Sequence, residues 1–192
     1  MLNRVEMDQK IKSTVKATRV YRKIHKWLAV PLFLFMFLFG TTGFLLGWKK
    51  QTNLLPPTQK GEVVQSVHWL SLDSLQKIAI RFAEDSLQAS SVIDRMDIRP
   101  QKGVAKIIFE SHFTELQIDC ATGEILSVGQ KTSDIIEKIH DGSIIDYYVK
   151  INQDPFKLAY TSMASLGLVL LSISGFWMWY NPKRIKKMKQ RH

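Results

Sequence analysis

A single cysteine, Cys120, stands in 192 residues. It excludes an intramolecular disulfide, so any part of the chain that folds in water must hold by its own packing. Also missing are a Ser/His/Asp arrangement, a matched pair of carboxylates, and a glycine-rich phosphate loop. His68, His112 and His192 belong to no metal-ligand spacing and read as surface or domain residues. The usual carriers of hydrolytic, phosphotransfer and structural-zinc chemistry are therefore absent.

Charge is absent from two long runs. Trp27 to Trp48 is 22 residues without one, about 33 Å of helix at a rise of roughly 1.5 Å per residue, enough to cross the hydrocarbon core of a bilayer. Arg22, Lys23 and Lys26 crowd one end, Lys49 and Lys50 the other, and a Trp sits at each boundary. Pro31 falls in the first turn of this run, where a missing N–H costs least. A cleaved signal peptide fits poorly, because the apolar run is longer than the usual ~7–15 residues and Gly-Trp-Lys-Lys is a poor cleavage site. The second run, Leu158 to Tyr180, has 23 uncharged residues and closes on Trp177, Trp179 and Tyr180, with Asn181-Pro182 as the expected helix stop.

Acidic residues are absent from the C-terminal tail, 181–192, which carries six Lys/Arg; residues 1–26 carry eight against two acids. The net charge of +10 resides in these tails. By the positive-inside rule both are cytoplasmic, and residues 51–157 lie on the other face. Without a recognisable nucleic-acid fold or interleaved aromatics, the basic tails point to anionic lipid headgroups rather than to DNA.

The remaining segments read in order. Residues 1–26 form a basic cytoplasmic arm, expected to become helical near Val20; 27–48 is transmembrane helix 1 and 49–60 a linker, broken by Pro56-Pro57. Residues 61–130 form an outer domain, beginning with a short apolar-rich stretch from Val63 to Leu70. Ser71 caps a helix with Asp73 in its first turn, and Leu72, Leu75, Ile78, Ala79 and Phe82 recur at helical spacing on its apolar face. Strands are predicted over Val92–Arg99, Val104–Glu110, Phe113–Cys120 and Glu124–Val128, with Val92, Met96 and Ile98 sharing one face of the first. Cys120 falls on one strand face with Leu116 and Ile118 and reads as a buried apolar residue. Residues 131–157 form an amphipathic connector, 158–180 transmembrane helix 2 and 181–192 the basic tail. The fold class is α+β: two transmembrane helices flanking a small extracytoplasmic helix-on-antiparallel-sheet domain.

Three short motifs lie in order along this frame. Glu115-Leu116-Gln117-Ile118-Asp119 followed by Thr122-Gly123-Glu124-Ile125-Leu126 resembles the D-x-x-T-G-E hairpin of the PepSY domain. Arg22-Lys23-Ile24-His25-Lys26-Trp27-Leu28, with Gly40 and Thr42-Gly43, is similar to the R-x-x-H-x-W-L…TG pattern of the PepSY-associated transmembrane family of bacterial iron-regulated membrane proteins. Ile139-His140-Asp141-Gly142, then Ser174-Gly175 and Trp177 to Tyr180, resembles that family's later L-H-x-G…TG-x-x-W segment. The family's larger members have four spans; this chain has two.

The resemblance implies a bacterial inner-membrane protein and haem b, with His25 and His140 matching the family's motif histidines. An imidazole at a membrane boundary is a natural axial ligand for haem iron. On this topology the two histidines stand on opposite faces, roughly 30 Å apart, so bis-histidine ligation needs a homodimer or a membrane partner subunit. Small residues in both spans, Gly40, Gly43 and Gly47 with Ala164, Ser165, Gly167, Ser172, Ser174 and Gly175, suit close helix approach within the chain or between copies. Two functions stay open. One is a haem-binding electron-transfer component linked to reduction or uptake of ferric siderophore iron. The other is a membrane-tethered, non-enzymatic PepSY binding module that docks on a peptidase or transporter.

Overall fold

The structure is a computed structural model and describes residues 4–62 and 68–190. The chain divides into two compact units, Met1–Thr41 with His140–His192, and Thr42–Ile139. Most of the Val63–Leu70 stretch and His192 lie outside the described residues.

The central unit is an antiparallel meander under one helix. Strands β1 (Ile93–Arg99), β2 (Val104–Phe109), β3 (Thr114–Asp119) and β4 (Ile125–Gln130) pair in sequence order. Helix α2 (Leu72–Asp85) is capped as the sequence predicts, the Ser71 side chain accepting from the N–H of Ser74. Its buried face is Leu75, Ala79 and Ala83; Leu72, expected on that face, is exposed, since the first residue of the helix precedes the turn that meets the sheet. The core joins this face to Ala105, Ile107, Phe109, Leu116, Ile118 and Cys120. Cys120 is thus a core residue, and burial, then the neighbouring Asp119 charge, pushes its thiol pKa up. In β1 the register shifts between Ile93 and Arg95. Such a bulge swaps faces upstream of itself, so Ile93 joins Met96 and Ile98 against the core and Val92 turns outward.

The opposite sheet face is polar yet covered. The segment expected to be a plain linker lies along it: the N–H of Gln59 donates to Gln117 Oε1 (2.8 Å), Gln117 Nε2 donates to the Pro57 carbonyl (3.0 Å), and the N–H of Glu62 donates to Asp119 Oδ2 (2.6 Å). Beneath it Lys106 Nζ pairs with Glu115 Oε1 at 2.7 Å, both side chains being buried. Burying that pair without its hydrogen-bonded neighbours would cost more than the attraction returns.

The other unit is built on two long helices. Helix α1 (Arg4–Gly47) is helical from Arg4 onward, so the basic arm turns helical well before Val20. Pro31 is therefore interior, and the Trp27 carbonyl lacks its usual donor; helices tolerate this where neighbouring groups or water re-satisfy the backbone. Helix α5 (Pro155–Gln190) likewise runs straight through the expected stop at Pro182. Lys183 Nζ sits 3.6 Å from the centre of the Trp179 ring, four residues back, fastening the turn that Pro182 weakens. Helices α3 (Thr132–Asp141) and α4 (Ser143–Val149) form the connector. The Asp146 carboxylate then caps α5, accepting from the N–H groups of Phe156 (3.1 Å) and Lys157 (2.8 Å).

α1 and α5 pair antiparallel. Tyr21 stacks on Trp177, His25 meets Ser174, Leu32 meets Gly167 and Phe35 meets Tyr160. The buried seam residues are small or polar, namely Thr14, Thr18, Ala164, Gly167, Ser174 and Asn181, with Leu32 the one large aliphatic. Gly40 and Gly47 have nothing within 4 Å of where a Cβ would stand, and Ser165 and Ser172 are exposed. Within the chain, these four make no close helix approach.

Candidate functional site: the histidines of the helix pair

His25 stands on α1 at half exposure, its Nδ1 2.9 Å from the Oγ of Ser174 on α5. The Ser174 hydroxyl donates its one hydrogen to the backbone, with the Leu170 carbonyl at 2.7 Å. With the hydroxyl hydrogen on Leu170, Ser174 Oγ accepts and His25 carries its proton on Nδ1, the tautomer that sets which ring nitrogen donates. In the neutral imidazole this leaves Nε2 as the lone-pair nitrogen, and the same bond fixes the ring's orientation, as partners of metal-ligating histidines do. Gly175 leaves room beside the ring, a Cβ there meeting His25 Cε1 at an ordinary 3.6 Å.

His140 is in the last turn of α3, its ring 4.1 Å from that of Phe39 and tilted by 33°. The adjoining carboxylate, Asp141, accepts from the N–H of Ser143 (2.9 Å) and pairs with Lys157 Nζ (2.9 Å). Burial alone would raise its pKa; the bonds from Ser143 and Lys157 outweigh burial and hold it below the ordinary carboxylate range. Gly142 follows with φ 82°, and a Cβ there would meet the Tyr160 ring at 2.7 Å, so only glycine lets α5 pack this closely behind His140.

The two histidines are not brought together. Phe39, the neighbour of His140, lies fourteen residues along α1 from His25, roughly 21 Å of helix. That is nearer than the expected 30 Å and still too far for one haem to reach both. Each place offers a single imidazole, so a haem held by two histidines would need its second ligand from beyond this chain. In the sequence Ser174 stands out as a small residue and a motif position but not as the partner of His25, and Phe39 does not stand out at all. Both follow from the antiparallel register of α1 and α5, which nothing local in either helix announces.

Of the other histidines, His68 is exposed and His112 is spoken for. His112 Nε2 donates to the Ser90 carbonyl (3.1 Å), and Nδ1 lies 2.7 Å from Thr114 Oγ1. Among the described residues no three His, Cys, Asp or Glu side chains gather as a metal group.

The D-x-x-T-G-E hairpin proves to be a clamp. Asp119 Oδ1 accepts from the N–H groups of Ala121 (2.7 Å) and Thr122 (3.0 Å), while Oδ2 holds the covering segment at Glu62. Burial alone would raise its pKa, but these backbone donors prevail and keep the carboxyl ionised below its usual range. Gly123 takes φ 78° at the turn, with the side chains of Ile78 and Leu70 only 2.9 Å from any Cβ it might carry. A groove of about 980 Å³ borders the same face, lined among others by Arg95, Arg99, Lys131 and Glu115. Glu115 Oε2 is buried there without a hydrogen-bond partner.

Two apolar helices of spanning length, paired through small residues and joined to a helix-on-meander unit, define a membrane-associated PepSY protein. The PepSY-associated TM region family model matches residues 22–192, and the chain belongs to that family. No curated protein and no solved structure matches it.

Proposed function

We propose that this chain is an electron-transfer component of the bacterial inner membrane, both termini cytoplasmic, that holds haem b through His25 and His140 and serves reduction of ferric siderophore iron. The observation that carries the reading is the Ser174–His25 bond, which holds the ring at the helix pair and, in the tautomer protonated on Nδ1, makes Nε2 the lone-pair nitrogen. A bound haem supplies one-electron transfer. The chain's own part is to orient: Ser174 holds the His25 ring, and Phe39 backs the His140 ring. A second copy, presenting the same histidines, completes each ligand pair.

The test is an absorbance spectrum of the solubilised protein from cells supplied with haem precursor, oxidised and then reduced. A Soret band with sharp reduced α-bands is expected, diminished by His25→Ala and by His140→Ala, and altered in position or midpoint potential by Ser174→Ala. A flat spectrum at high protein concentration removes the reading.

A second reading, docking of a protein partner, draws on the orphaned Glu115 Oε2 in the groove wall. Under it both histidine variants behave as the parent, and Arg99→Glu abolishes partner capture.

A further inference from the structure

Helices α1 and α5 continue past their apolar runs as a pair and end in a cleft of about 560 Å³. Arg19 and Arg22 of α1 and Lys186 and Lys189 of α5 line it, over apolar side chains that include Val15 and Ile185. No Asp or Glu occurs between Asp8 and Glu62, nor after Asp154. Among the described residues no carboxylate pairs with any of these four cations. Four like charges converge there without internal compensation, which favours an anion between them.

Depth decides what kind of anion. Arg22 lies five residues before exposed Trp27, and Pro182, also in the cleft wall, two residues after exposed Tyr180, so the inner edge of the cleft stands roughly 3–8 Å beyond the aromatic boundary of the apolar runs, with Arg19 and Lys189 about 12–14 Å beyond it. That is headgroup level. A soluble phosphate compound would meet the charge but leave the apolar wall unused; a phospholipid satisfies both, its phosphate on the guanidinium forks and its glycerol on Pro182 and Ile185, the apolar lining nearest the aromatic boundary. We infer that the cleft binds the phosphate headgroup of an anionic phospholipid, one per chain. This rests on placement of the two helices in a bilayer and is independent of haem.

The experiment is native mass spectrometry of the full-length protein in detergent, titrated with phosphatidylglycerol, with phosphatidylcholine, and with inorganic phosphate as competitor. The variant R19Q/R22Q/K186Q/K189Q is set against K12Q/K16Q/K23Q/K187Q, which removes the same charge outside the cleft. The parent is expected to retain one phosphatidylglycerol; the cleft variant weakens it at least about tenfold, and the control less than about threefold. Equal weakening in the two variants, equal binding of phosphatidylcholine, or displacement by millimolar phosphate overturns the proposal. Should the quadruple variant lose helix content, Arg19→Lys with Arg22→Lys keeps the charge and still weakens the lipid about threefold through loss of the forks; no weakening there overturns it as well.

Discussion

The two units are built inside out relative to each other. In the sheet unit the described residues with no exposure include Phe109, Leu116, Ile118, Ile107 and Cys120, and Gln117 is the one polar side chain among them. In the helix pair the buried residues are threonines, a serine, an alanine, a glycine and an asparagine, with Leu32 the one large aliphatic, while Val30, Phe33, Leu34 and Phe37 are 62–70% exposed. Water drives apolar side chains inward; a hydrocarbon solvent gives no such push and leaves close backbone approach and polar contacts to hold helices together. The contrast therefore reads as two solvents acting on one chain.

The largest test of that contrast uses identical chemistry on both sides of it. Leu116→Ala empties a fully buried site and is expected to cost about 3–5 kcal/mol, whereas Leu34→Ala, on the outward face of α1, is expected to cost under about 1 kcal/mol. Hydrogen exchange on the detergent-solubilised chain reads both locally. Equal losses in the two units would mean that the outward face of α1 is covered by protein, and the two-solvent account would fail.

How much of this was legible in the sequence follows the same division. Period-2 and period-3.6 patterns report burial in water, so α2, its Ser71 cap, all four strands and the core place of Cys120 could be read directly. The β1 bulge could not, since one extra residue reverses the face without changing composition, and Val92 was misplaced for that reason. Within the apolar runs every residue looks alike, so the seam is not legible, and Gly40 and Gly47 turn out to have no neighbour from the rest of the chain at the Cβ position. Proline was over-read as a breaker at Pro182, where the flanking seam and the Lys183–Trp179 contact carry α5 onward. His25 was found from its motif, but its partner Ser174 depends on a helix 149 residues away.

A smaller effect comes from the clamp at Asp119. Asp119→Ala leaves the N–H groups of Glu62, Ala121 and Thr122 without their acceptor and is expected to cost about 1–3 kcal/mol. Because the folded carboxyl is held below its usual value, its contribution is present above the ordinary carboxylate range near ~3.9 and is lost as pH falls through the folded value. Unfolding of the sheet unit followed between pH 7 and pH 2 should show this acid limb in the parent and a flatter one in the variant. A limb unchanged by the substitution would assign the acid sensitivity to other carboxylates.

The smallest effect sharpens the picture of the seam itself. A Cβ at Gly167 would press on the Leu32 methyl groups, while one at Gly40 meets nothing. The obstacle at Gly167 is the far end of a flexible side chain, so Leu32 can yield by changing rotamer, and Gly167→Ala is expected near the low end of overpacking, about 1 kcal/mol. Gly40→Ala, by contrast, should be neutral or slightly stabilising, because alanine restricts the unfolded chain and suits a helix better. Thermal loss of helix signal in detergent separates the two: a lower midpoint for the first and an equal or higher one for the second. If Gly40→Ala proves the more harmful, the face bearing Gly40 packs against something outside the chain, and a second copy seated there becomes the first place to look for the second ligand that the proposed haem would need.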